Sequence, residues 1–151
     1  YYMAIRNILE KSKVLIIVGA VLCLMVSIIS YPPLAKADTK DRTVNVNASH
    51  GCTTVAKKAN TSGVYLKVLA HGSGRDMLVS VFADANKGKG KRKWINVSGK
   101  DKASLGKYVT KGNKYHLTNY AVERYGKGVP IRLCFDGDKG KINFLWSPDS
   151  R

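Results

Sequence analysis

Residues 84–94 read DANKGKGKRKW, placing Lys87, Lys89, Lys91, Arg92 and Lys93 within seven consecutive positions and ending on Trp94. Cations at this density suit a phosphate-rich or otherwise anionic surface, where each adds a salt-sensitive increment of binding. Trp94 beside them could stack on a base or a sugar, or sit at a lipid headgroup. Gly88 and Gly90 leave the backbone unrestricted, and like charges keep such a loop extended. The competing reading is a solvated tip with Trp94 buried at a strand start, because exposed lysines are ordinary on sheet edges and loops.

Other residues able to do chemistry are few. His50, His71 and His116 are the only histidines, and Glu123 is the only glutamate beyond residue 37. Two histidines, or a His/Glu pair, with Arg124 or Arg132 as phosphate clamp would give a metal-free ribonuclease. No local spacing links them, so each reads as a strand or surface residue and no catalytic residue is assigned. His50-Gly51-Cys52 could form a Cys/His nucleophile, except that a disulfide would occupy the thiol. Asp136 and Asp138 flank Gly137 and could hold calcium weakly, but the further oxygen ligands are missing and a turn is the better reading. No zinc spacing, nucleic-acid signature, metal site or cofactor motif is found.

The elements that must position the cationic run begin after an export signal. Arg6, Lys11 and Lys13 precede an uncharged run at 14–30, and Pro32-Pro33 and the small-x-small pair Ala35/Ala37 follow. That order is a secretory signal with cleavage after Ala37. The 17-residue run is also at the short end of a bilayer span, but its proline-containing flank favours cleavage over an anchor. Residues 38–151 would then form a single secreted β-rich domain, extracellular or bound to the cell wall. Losing Arg6, Lys11, Lys13, Lys36 and Glu10 takes the net charge from +16 to +13. Such charge repels the chain from itself and attracts polyanions. Further bases are spread widely at Lys57, Lys58, Lys100, Lys102, Lys107, Lys111, Lys114, Lys127, Lys139 and Lys141. Cys52 and Cys134 survive cleavage, and export allows a disulfide between them. Its long loop implies about 4–5 kcal/mol by chain entropy; two buried free thiols are the alternative.

Beyond a polar segment at 38–42, short alternating runs are punctuated by Gly and Asn, the pattern of an antiparallel sheet protein. Val44 and Val46 share a face, as do Met77, Val79, Val81 and Ala83; Ile95 and Val97, with Trp94 opposite; Val129, Ile131, Leu133 and Phe135; and Ile142, Phe144 and Trp146. Residues 64–69 form another run. Two runs around Lys111-Gly112-Asn113 suggest a hairpin, residues 136–140 a tight turn, and 53–59 a weak helix, with a loop or irregular strand as the alternative. The fold class is therefore all-β, an antiparallel β-sandwich or small barrel of about seven to eight strands after an N-terminal signal helix. Residues 84–94 fall between two runs and read as a hairpin loop. Cys134 lies opposite Ile131 and Phe135 on its strand, so a bridge to Cys52 would sit outside the main core.

The chain closes on Trp146-Ser147-Pro148-Asp149-Ser150, preceded by YGKGVPIRL at 125–133. In this it resembles small secreted proteins of Gram-positive bacteria that finish close to W-S-P-D-S. The resemblance implies a secreted β-rich domain and carries no catalytic residues. Trp146 is expected to pack at the sandwich end, in phase with Ile142 and Phe144, with an Asx-type turn at Asp149 or Ser150. The expected function is a secreted cationic, non-enzymatic domain binding anionic cell-wall polymer or an anionic membrane surface. Its anion-binding residues are Lys87, Lys89, Lys91, Arg92, Lys93 and Trp94. The alternatives are a bacteriocin-like membrane-active toxin and, behind it, a small secreted ribonuclease. Export takes intracellular nucleic acid off the list of partners. The sequence sets no oligomeric state.

Overall fold

In the computed structural model, which describes residues 36–72, 74, 76–101 and 105–150, the alternating runs become ten antiparallel strands in two sheets. Sheet A contains β1 (Arg42–Asn47), β10 (Lys141–Ser147), β4 (Val64–His71) and β8 (Lys114–Leu117), in that order. Sheet B is built on β9 (Val129–Asp136) and β5 (Met77–Asp84). Along the free side of β9 run β2 (His50–Cys52) and β3 (Ala56–Lys58); along the free side of β5 run β6 (Trp94–Asn96) and β7 (Lys107–Val109). Neither sheet closes on itself, so the fold is a sandwich and not a barrel. The described residues belong to a compact unit, Ala35–Arg151. The expected signal helix lies outside the described residues.

The period-two patterning decides which side faces inward. Met77, Val79, Val81 and Ala83 of β5 and Val129, Ile131, Leu133 and Phe135 of β9 meet Val64, Leu66 and Val68 of β4 and Ile142, Phe144 and Trp146 of β10, all buried. Burying such a side chain stabilises by about 1.5–3 kcal/mol. Phe135 of sheet B and Phe144 of sheet A meet edge to face, ring centres 5.7 Å apart, and so join the two layers.

Several expectations need correction. There are ten strands among the described residues, not seven to eight, because β2 and β3 are three-residue pieces too short to show alternation. Residues 53–59 contain strand β3 and no helix. A short helix that the patterning did not announce, α1 (Ala121–Tyr125), buries Ala121 and Val122. The runs around Lys111-Gly112-Asn113 are not a hairpin: β7 pairs with β5 in sheet B and β8 with β4 in sheet A. The turn crosses between layers and is held on β4, where Gly112 N–H donates to Val68 O and Val68 N–H to Asn113 O. Residues 136–140 likewise carry the chain from β9 in one sheet to β10 in the other.

The C-terminal motif is a latch rather than a local turn. Trp146, Ser147 and Asp149 are fully buried. The Asp149 carboxylate accepts backbone N–H bonds from Asp38 at 2.9 Å, Ala59 at 3.1 Å and Asn60 at 3.3 Å. It also pairs with the Lys58 ammonium at 3.2 Å, both side chains being fully buried, while Lys58 Nζ donates to Pro148 O at 2.6 Å. Burial pulls the Lys58 pKa below its ordinary value, against the opposing pull of the Asp149 carboxylate. Lys58 therefore leaves the set of surface bases. Ser150 completes the latch, its N–H donating to Ser62 Oγ and its Oγ to Gly63 O.

Cys52 and Cys134 oppose each other on β2 and β9 and form a disulfide across a sequence separation of 82. It lies on the outer face of sheet B, as the parity of β9 requires. Replacing both cysteines by Ser is expected to cost about 2–4 kcal/mol, the usual range for a native bridge, with the core unchanged. Urea denaturation checks this, and an unchanged midpoint would contradict it.

Candidate anion-binding surface

The register of sheet B lays out its outer face in rows. Tyr108, Leu78, Asp136 and His50 form one. Ser80 stands beside Cys134 and its bridge to Cys52. Asn96, Phe82 and Arg132 form the next, and Trp94 opposes Asp84 at the end of β5. Residues 84–94 are thus a true hairpin loop between β5 and β6, at one end of this face.

The loop is not the loose, extended tip that its charge implies. Asp84, the one acid in it, is fully buried and organises it. Its carboxylate accepts the backbone N–H groups of Gly88 at 2.8 Å, Lys93 at 2.9 Å and Asn86 at 3.1 Å, and the Arg92 guanidinium lies 3.5 Å away. Asn86 Nδ2 donates to Lys91 O, and the N–H of Ala85 to Lys93 O. Gly88 and Gly90 have φ of +78° and +63°, and Lys87 also turns left-handed at +53°. Lys87, Lys89, Lys91, Arg92 and Lys93 are all exposed on this frame. Lys87 Nζ stands 3.8 Å from where a β-carbon at Gly126 would be, so the tip lies against the segment that follows α1.

Desolvation pushes the Asp84 carboxyl up, but the N–H groups of Lys93, Gly88 and Asn86 and the Arg92 charge outweigh it and hold the carboxyl below its ordinary value. A folded-state pKa below the unfolded one contributes stability above the unfolded value and loses it as pH falls through the folded one. The loop is expected to hold its shape from neutral pH down to about 4 and to loosen below that. Asp84→Ala should mimic the acid state at neutral pH and cost about 1–3 kcal/mol through its orphaned donors. Amide exchange at Gly88 and Lys93 reports both effects; exchange that stays slow in the variant would contradict them.

Trp94 is half buried and is not a free stacking platform. The Arg132 guanidinium carbon lies 4.3 Å from its ring centre and that of Arg92 5.6 Å. Trp94 instead holds two guanidiniums in place by cation–π contact. Arg132, which the sequence offers only as a clamp for a ribonuclease, pairs with no carboxylate among the described residues, and its Nε is buried without a partner. Desolvation by burial lowers its pKa from the usual arginine value. Beside it a groove of about 230 Å³ is lined by Leu78, Ser80, Phe82, Asn96, Leu105 and Asp136.

The residues of the ribonuclease reading are not brought together. His50 is in sheet B opposite Asp136, whereas His71 and His116 are in sheet A. His116 pairs with Tyr65, six positions from His71 along β4, or roughly 20 Å at strand rise. His116 is hydrogen-bonded to Ser150 Oγ at 2.8 Å. Arg124 is occupied by the carbonyls of Asn96, Gly99 and Lys100. Cys52 is in the disulfide. Among the described residues no group of three or more His, Cys, Asp or Glu could hold a metal ion.

A family model described as "Protein of unknown function (DUF2712)" matches residues 32–150. No curated protein and no solved structure matches the chain significantly.

Proposed function

Because the chain belongs to the DUF2712 family, whose description carries no activity, we propose a reading from its own surface: a secreted cationic domain that binds anionic cell-envelope polymers without catalysis. The observation that carries it is the hairpin at 84–94, where a buried carboxylate fixes a backbone that presents Lys87, Lys89, Lys91, Arg92 and Lys93 to solvent. Fixing the loop beforehand lowers the ordering cost of binding. The net charge of +13 that remains from +16 without residues 1–37 supplies the long-range attraction. The reading takes residues 1–37 as a cleaved export signal and the W-S-P-D-S ending as a mark of Gram-positive origin, which places the domain outside the cell or on its wall. Residues 38–151 should sediment with Gram-positive cell walls at low salt and be released as salt rises. Sedimentation that is absent, or indifferent to salt, would overturn the reading.

A second reading, a bacteriocin-like membrane-active toxin, draws on the cationic charge together with exposed Leu105 and Tyr108. Among the described residues no helix is long and apolar enough to cross a membrane. Dye release from anionic vesicles separates the two: a polymer binder leaves the vesicles intact.

A further inference from the structure

We infer that the outer face of sheet B beside Trp94 is a subsite for a sugar ring bearing an oxyanion, one repeat of an acidic polysaccharide or sugar-phosphate polymer. This deepens the proposed polymer binding and rests on it. Three observations converge. First, Arg132 is stacked 4.3 Å from the centre of Trp94 and faces no carboxylate among the described residues. Stacking pre-organises its planar fork, and a fork without a partner suits a bidentate carboxylate or phosphate.

Second, the register places Phe82 directly beside Arg132 on β5 and Asn96 directly beyond Phe82 on β6. Half-buried Phe82 lines the adjoining groove of about 230 Å³, which has room for a single ring and is too small for a drug-sized ligand. A ring whose anionic group sits on Arg132 would lay its apolar face on Phe82.

Third, the polar groups around that groove match hydroxyls. Asn96 Nδ2 gives one hydrogen to Leu105 O at 3.1 Å and keeps a second. Exposed Asp136 can accept from a hydroxyl, and Ser80, whose own hydrogen goes to Leu105 O, can accept through its oxygen. Lysines alone would bind any polyanion. The Arg132–Phe82–Asn96 row adds a requirement for a ring, because a flexible phosphate chain offers nothing to cover Phe82.

The test compares two probes of high negative charge by titration of residues 38–151 at fixed salt. Polygalacturonate carries a carboxylate on every sugar ring, and polyphosphate carries charge without rings. The wild-type domain should prefer polygalacturonate. Phe82→Ser and Arg132→Lys should each weaken polygalacturonate binding by about tenfold, one interaction of about 1.4 kcal/mol, and leave polyphosphate binding unchanged. Arg132→Lys keeps the charge, so its effect isolates the stacked fork; it also keeps the test decisive should Phe82→Ser fail to fold. Equal wild-type affinity for the two probes, or variants that change both or neither, would overturn the ring subsite while leaving polyanion binding intact. Binding to neither probe would overturn both readings. A sugar-phosphate polymer as a third arm distinguishes phosphate from carboxylate as the preferred oxyanion.

Discussion

Asp149→Ala is expected to cost about 5 kcal/mol or more, enough to unfold a domain at the low end of the usual range of about 5–15 kcal/mol. The side chain has no exposure and ties two distant segments to its own through Asp38 N and through Ala59 N and Asn60 N, besides pairing with Lys58. Removing one partner of a buried ion pair usually costs about 3–5 kcal/mol, because the other charge is left uncompensated. Here three backbone donors are orphaned as well, each costing about 1–3 kcal/mol where it stays buried. Lys58→Met should be milder, since the Asp149 carboxylate would keep all three N–H donors. Thermal or urea denaturation of the two variants reads the order directly. Equal losses, or a larger loss for Lys58→Met, would show that the ion pair and not the N–H cradle carries the latch.

The long strands are legible in the sequence because each of β4, β5, β9 and β10 sets apolar side chains on alternate positions against a second apolar layer. Trp146 is placed correctly by the same phase. What stays hidden is pairing. Lys111-Gly112-Asn113 signals a reversal, but nothing local says that β7 and β8 join different sheets. Lys58 reads as a solvated base because the carboxylate that draws it inward is 91 residues away.

The candidate surface divides in the same way. Its five cations and Trp94 stand out by composition. Asp84 does not, because its partners are backbone N–H groups; an Asx-type turn at Asp84-Ala85-Asn86 is the one local signal that could have found it. Arg132 joins the surface only through the register of β9 on β5.

Replacing Lys87, Lys89, Lys91, Arg92 and Lys93 together with Gln is the second large effect. A cation near an anionic surface contributes about 1 kcal/mol, so the variant should lose affinity by roughly several thousandfold at low salt. The salt dependence should flatten too, by about 0.7 in slope for each cation removed, or about 3–4 in all. The fold should survive, because the N–H bonds to Asp84 come from the backbone and all five side chains are exposed. Circular dichroism and the urea midpoint check that point separately.

The most direct test is a titration of purified teichoic acid with wild-type residues 38–151 and with the five-glutamine variant, at several salt concentrations. The predicted result is tight wild-type binding that weakens steeply with salt, and a folded variant with much lower affinity and a shallow slope. A folded variant that binds as the wild type does would contradict the hairpin as the binding site. A wild-type domain that does not bind would contradict polymer binding itself.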